Sequence, residues 1–202
     1  MTGTAVLANI PEGAVVQTEL TLDGFLAHNP EQPPYLEYEG KGCVRRKMSP
    51  NTEHAGIAAE LSHRFLAYRD ATQRELHVYV ELRTNVGGQS KVPDVAVYVD
   101  HRPSENQRKQ ALVVADLSIE IISPGESREQ QESKCEWYIQ QGGRFAILID
   151  PQRREALVYV KDVAFGGVGP RQRYGIDPDA VISELEDLLP GLHLSPKAIF
   201  SA

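Results

Sequence analysis

Leu117-Ser118-Ile119-Glu120-Ile121-Ile122, closed by Ser123-Pro124-Gly125, reads as a short buried strand with a carboxylate in its middle. Ionised and unpartnered, that carboxylate is costly to bury, so Glu120 must be paired, protonated or bound to a cation. Two further residues sit oddly in the same way. Asp94 opens the strand Asp94–Val99 directly after Pro93, and Lys134 lies on the helix that follows Glu120. At roughly 100° per residue, Trp137 and Tyr138 fall within roughly 60° of Lys134, which places the lysine inside the apolar arc facing the sheet. Two acids and a lysine, each seated on a core element, have the layout of a metal-dependent phosphodiesterase.

Working outward, Thr18–Ala27 predicts a short helix capped by Thr18 or Thr21, with Leu22, Phe25 and Leu26 on one face. Tyr35–Tyr38 and Cys43–Met48 predict a hairpin around Gly40-Lys41-Gly42. Ser49-Pro50-Asn51-Thr52 then caps a long helix to about Arg69, whose Ile57, Leu61, Phe65 and Leu66 mark a buried stripe. Leu76–Leu82 alternates as a strand, Asn85-Val86-Gly87-Gly88 turns the chain, and His101–Lys109 is a polar loop. Ser127 begins a helix that ends at Gly142-Gly143. Phe145–Asp150 and Ala156–Val160 pair around Pro151-Gln152-Arg153-Arg154, and a last strand lies near Arg173-Tyr174. This order predicts an α/β fold with a mixed sheet. The 202 residues suit one domain, 1–202, with 1–16 as an extended N-terminal segment.

Hydrophobic content of 41% and charged content of 24% describe an ordinary soluble chain. No apolar run approaches the ~20 residues that span a bilayer, and Met1–Asn9 lacks the features of a secretion signal. Cys43 and Cys135 form no C-x-x-C pattern. A cytoplasmic protein without membrane attachment is expected. The net charge of −7 argues against coating DNA by bulk electrostatics, though a nuclease site is acidic by necessity. The basic clusters Arg45-Arg46-Lys47, Arg102 with Arg108-Lys109, Arg153-Arg154, and Arg171 with Arg173 read as solvated surface charge.

Each of the three residues has a plainer reading. Asp94 after Pro93 suits a turn, Glu120 an edge strand or a structural ion pair, and Lys134 a side chain snorkelling to water. As a set they fit magnesium chemistry. The cation prefers one or two carboxylates plus waters and substrate phosphate, and it polarises a phosphoryl oxygen and activates water. Asp94 and Glu120 on neighbouring strands supply the pair, with the Ile121 carbonyl as third ligand. Lys134 beside them can orient the water and offset developing charge. On this reading Asp94→Ala abolishes metal-dependent cleavage and leaves the fold intact.

Pro93-Asp94-Val95, the run Asp116–Pro124, Lys134 with Tyr138 and Gly142, and Ile149-Asp150-Pro151 together resemble the PD-(D/E)XK nuclease superfamily. The chain looks most like its bacterial Uma family of restriction-endonuclease-like proteins, in which the lysine has moved from the strand to the next helix, as at Lys134. The resemblance extends from Tyr35-Leu36-Glu37 and Lys47-Met48-Ser49-Pro50, through His54, to Leu189-Pro190-Gly191-Leu192. It implies a restriction-endonuclease-like mixed β-sheet core flanked by helices, with an N-terminal helix and β-hairpin elaboration. It implies a DNA endonuclease using Mg²⁺, or Mn²⁺ in its place, and acting as a homodimer. It also implies an acid in the first strand region. Glu37 matches that position with Glu39 as rival, and alternation puts both on one strand face. His54 has no metal-ligand partner at helical spacing and reads as a cap or packing residue. No role falls to Glu129 or Glu132. The rival reading is a nuclease-like module that binds nucleic acid or protein without cutting.

Overall fold

A computed structural model describes residues 7–29, 31–161, 168–175 and 180–201. The described strands form two sheets. The smaller one orders β1 (Val15–Gln17), β3 (Cys43–Arg46), β2 (Leu36–Gly40), β6 (Gln89–Lys91) and β5 (Thr84–Val86), all antiparallel. The larger orders β11 (Val168–Tyr174), β10 (Glu155–Lys161), β9 (Phe145–Asp150), β8 (Leu117–Ile121), β7 (Val95–Val99) and β4 (Leu76–Val80). Only β8 and β9 run parallel, joined by the crossover helix α3 (Arg128–Gln140), so the sheet is mixed. The fold is α/β, as the element order predicts.

Alternation divides β8 cleanly. Leu117, Ile119 and Ile121 join Val95, Val97 and Val99 on one face, under Ile57, Leu61 and Phe65 of α2 (Thr52–Thr72). Leu185, Leu188 and Leu189 of the C-terminal region, which holds a 3₁₀ turn at Ser183–Asp187 and α4 (Pro196–Ile199), complete that layer. On the other face Trp137, Tyr138 and Ile139 of α3 pack on Ala146, Leu148, Leu157 and Tyr159. Ser118 and Glu120 therefore point toward α3. The smaller sheet has its own core, in which Leu7, Ile10, Phe25, Leu36, Tyr38 and Val44 meet.

Local chemistry sets the boundaries. Asn51 Oδ1 accepts from the His54 N–H at 2.8 Å and starts α2, and Ser127 caps α3. Helix α1 (Leu22–His28) starts later than the sequence predicts, because Thr21 is its cap. Thr18 instead donates its hydroxyl and its N–H to the Gly42 carbonyl, pinning the β2–β3 turn. Gly42 is required there, since its φ is +79° and a Cβ would lie 2.0 Å from the Thr18 carbonyl oxygen. The turn at Gly87-Gly88 has paired strands on either side, β5 and β6, each only three residues long and too short to show alternation. Among the described residues no helix is long and apolar enough to cross a membrane.

Candidate active site

Strand register, more than any single contact, assembles the acids. Val95 pairs with Ile119 and Ala96 with Ser118, so the next step along the antiparallel ladder sets Asp94 opposite Glu120. Both fall on the α3 face, where Lys134 and Tyr138, four residues apart on that helix, reach the same carboxylate. Lys134 Nζ donates to Glu120 Oε2 at 2.9 Å and Tyr138 Oη to Glu120 Oε1 at 2.7 Å. The smaller sheet supplies the rest, because the chain runs from β6 through Val92-Pro93 directly into β7.

Lys134 Nζ also lies 2.7 Å from Glu37 Oε1, which accepts the Val92 N–H at 2.8 Å as well. Arg45, paired across the hairpin with Glu37, donates to Glu37 Oε2 at 3.1 Å and to Glu39 Oε1 at 2.8 Å. Lys47, just past β3, holds Asp94 Oδ1 at 2.6 Å, while the Ile121 N–H donates to Asp94 Oδ2 at 2.7 Å. Both ammonium groups, Lys47 and Lys134, also donate to the Val92 carbonyl at 3.0 Å. Asp94, Glu120, Glu37 and Lys134 are all at most 3% exposed. His54 closes one end, with Nδ1 at 2.9 Å from Ser123 Oγ and Nε2 at 3.5 Å from Asp94 Oδ1.

The charges divide the carboxylates. Burial opposes ionisation of Asp94 and Glu37, but Lys47 and His54 at the first, and Lys134 and Arg45 at the second, outweigh it and hold both far below the usual range. At Glu120 burial, with the neighbouring Asp94 and Glu37, outweighs the pull of Lys134 and the more distant Lys47 and pushes its pKa up to about 7. Burial works against the Lys47 charge, yet Asp94, Glu120 and Glu37 raise it.

A stability profile follows with a definite sign. Between its ordinary 4.5 and about 7, folded Glu120 keeps a proton that the unfolded chain releases. Stability therefore falls as pH rises through that window. His54, faced by Asp94, Ser123, Lys47 and Glu126, is raised above 6.5 despite burial, so its contribution is also lost as pH rises past neutral. Without divalent metal, the Tm is expected to be lower at pH 8 than at pH 5.5, and Glu120→Gln to flatten the difference. A Tm that rises with pH in both proteins would contradict this.

The structure brings Asp94, Glu120, Lys134 and Glu37 into one cluster, with Ile121 meeting Asp94 through its N–H. Glu120 is on a central strand, so it is no edge carboxylate, and Lys134 is 1% exposed, so it does not snorkel. Glu37, rather than Glu39, contacts Lys134; a bulge between Tyr38 and Gly40 separates the two acids, and Glu39 pairs with Arg45 and Lys91. Glu132 pairs with Arg128, away from the cluster. Arg45 and Lys47 correct the surface reading of their basic run: both are buried, while Arg102, Arg108, Arg153 and Arg154 stay exposed. One signal was available for Arg45. It falls opposite Glu37 in the predicted hairpin, and a buried acid needs a cation across from it. Lys47 gave no such signal, because its partner lies 47 residues on in another sheet.

Among the described residues no group of three or more His, Cys, Asp and Glu side chains forms a metal cage. Magnesium needs none, because one or two carboxylates with waters and substrate phosphate suffice. The hard oxygens of Asp94 and Glu120 fit that demand. Each carboxylate already draws an ammonium to within 2.9 Å, and each oxygen has a second lone pair to offer.

Comparison with solved structures gives a putative nuclease belonging to DUF820 from Anabaena variabilis, 28% identical, with a TM-score of 0.74. The alignment covers 90% of this chain and 98% of that one. No curated protein matches the chain. Residues 22–197 match the model of a family described as "Putative restriction endonuclease". With that match spanning most of its length, the chain belongs to the Uma2 family.

Proposed function

We infer that the protein is a divalent-metal-dependent DNA endonuclease that hydrolyses phosphodiester bonds. The observation that carries this reading is the placement of Asp94, just before β7 and one ladder step beyond the Val95–Ile119 pair, next to Glu120 of central strand β8, with Lys134 donating to Glu120 from the crossover helix. Magnesium, or manganese in its place, would be held by Asp94, Glu120 and the Ile121 carbonyl. When bound it supplies polarisation of the phosphoryl oxygen and a lowered pKa for water.

The chain's own groups do the rest. The Ile121 N–H fixes one Asp94 oxygen, which turns the other toward Lys47, where it would be offered to a cation. The Tyr138 hydroxyl fixes one Glu120 oxygen and leaves the other to Lys134. Glu37 holds Lys134 from the opposite side, so the ammonium stays where a water and a phosphoryl oxygen would gather. Glu37 thus acts through Lys134 as a positioning acid. Cutting both strands of a duplex fits a homodimer, which brings two such sites to the DNA.

One observation favours a second reading, a nuclease-like binding module that does not cut. Every oxygen of Asp94 and Glu120 already has a partner, as in a structural ion-pair network. Calorimetric titration of Mg²⁺ and Mn²⁺ into wild type and Glu120→Gln, with plasmid cleavage in the same buffers, separates them. Binding that is lost in Glu120→Gln, together with metal-dependent nicking, is the expected result. No binding and no nicking would overturn the nuclease reading and favour the inactive module, with Glu120 as a buried ion-pair partner of Lys134.

A further inference from the structure

With its acids ionised, as binding of a cation requires, and His54 neutral, the cluster is electrically closed. Glu37, Asp94 and Glu120 contribute three negative charges when ionised, and Arg45, Lys47 and Lys134 three positive ones, each in direct contact with an acid of the set. The flanking Glu39 and Lys91 pair with each other and leave the balance unchanged. All six residues are at least nine-tenths buried. Adding a divalent cation at Asp94 and Glu120 would leave two uncompensated positive charges in a region poorly screened by water, beside two ammonium groups that converge on one carbonyl.

That excess is removed by an anion, and Lys47 is placed to receive one. Its ammonium rests on Asp94 Oδ1, the oxygen not taken by the Ile121 N–H, and so occupies the acid on the side a cation would use. Its other partner is the neutral Val92 carbonyl, so Lys47 has no second carboxylate to return to once a cation claims Asp94. Lys134 differs, because Glu37 retains it.

We propose that Lys47 couples the two ligands: it holds Asp94 in the free protein and, when a divalent cation takes that acid, becomes a binding group for a phosphate anion. Metal and phosphate then bind as a pair and each weakly alone. This rests on the metal-dependent reading given above, and it adds a phosphate-binding residue outside the Asp94, Glu120, Lys134 and Glu37 set. A free phosphate and a phosphodiester share the chemistry, and the test separates them.

Mg²⁺ affinity of the wild type is measured by calorimetry alone, with saturating inorganic phosphate, and with a thymidine dinucleotide. Affinity higher by on the order of tenfold with an anion present is the expected result. An effect of the dinucleotide marks a phosphodiester site, and an effect of inorganic phosphate alone marks a free-phosphate site. Lys47→Met is expected to bind Mg²⁺ alone at least about tenfold more tightly than wild type and to lose the anion dependence. Equal wild-type affinity with and without both anions overturns the coupling, even if Lys47→Met fails to fold. If plasmid nicking persists in that case, the nuclease reading survives the loss of this one.

Discussion

Asp94→Asn is expected to reduce metal-dependent cleavage by about 10²–10³-fold or more, because a neutral amide neither attracts the cation nor completes its oxygen set. Full activity in this variant would remove Asp94 from the site. Asp94→Ala carries a second effect that the sequence did not disclose. The side chain anchors buried Lys47 at 2.6 Å and accepts the Ile121 N–H. Removing it strands an ammonium in the interior, at a cost of about 3–5 kcal/mol. For a chain of this length that corresponds to a Tm lowered by roughly 6–20 °C. Asp94→Ala is therefore expected to keep the fold at reduced stability. The double variant Asp94→Ala with Lys47→Met removes both charges and should recover much of the Tm without recovering cleavage. Thermal melts beside plasmid assays distinguish the two losses.

Lys134→Ala is expected to be the most destabilising single change in the cluster. Lys134 lies between Glu37 at 2.7 Å and Glu120 at 2.9 Å and is 1% exposed. Its loss leaves two buried carboxylates facing one another across the space it filled, again at about 3–5 kcal/mol or more. Lys134→Met keeps the volume and is the variant for kinetics. Turnover should fall by about 10²-fold or more, while Mg²⁺ affinity is retained or increased, because a competing positive charge has gone. Equal loss of turnover and metal affinity would mark Lys134 as structural.

Much of this cluster was legible along the chain because burial conflicts with charge. Glu120 within an apolar strand, and Lys134 within the apolar arc of a helix, are anomalies that periodicity alone exposes. Helix α2, the β2–β3 hairpin and the β8–α3–β9 order were legible for the same reason: caps, turn glycines and apolar spacing are local signals. The short strands β5 and β6 were not, since three residues carry no measurable period.

The choice between Glu37 and Glu39 shows where local reading stops. Alternation puts both on one strand face, but the bulge after Tyr38 and the N–H of Val92 decide which of them lies over Lys134. Lys47 is the stronger case. In sequence it completes a basic run that resembles ordinary surface charge, and only the arrival of β7 from β6 sets Asp94 beside it.

The sequence by itself determined the α/β class, the buried acid and the buried lysine, because an element's period and a residue's polarity are both written locally. Tertiary structure alone decided the partners, setting Asp94 opposite Glu120, Glu37 on Lys134 and Lys47 on Asp94. Those pairings depend on strand register and on how two sheets meet, and electrostatic balance in a buried site is a property of the whole cluster.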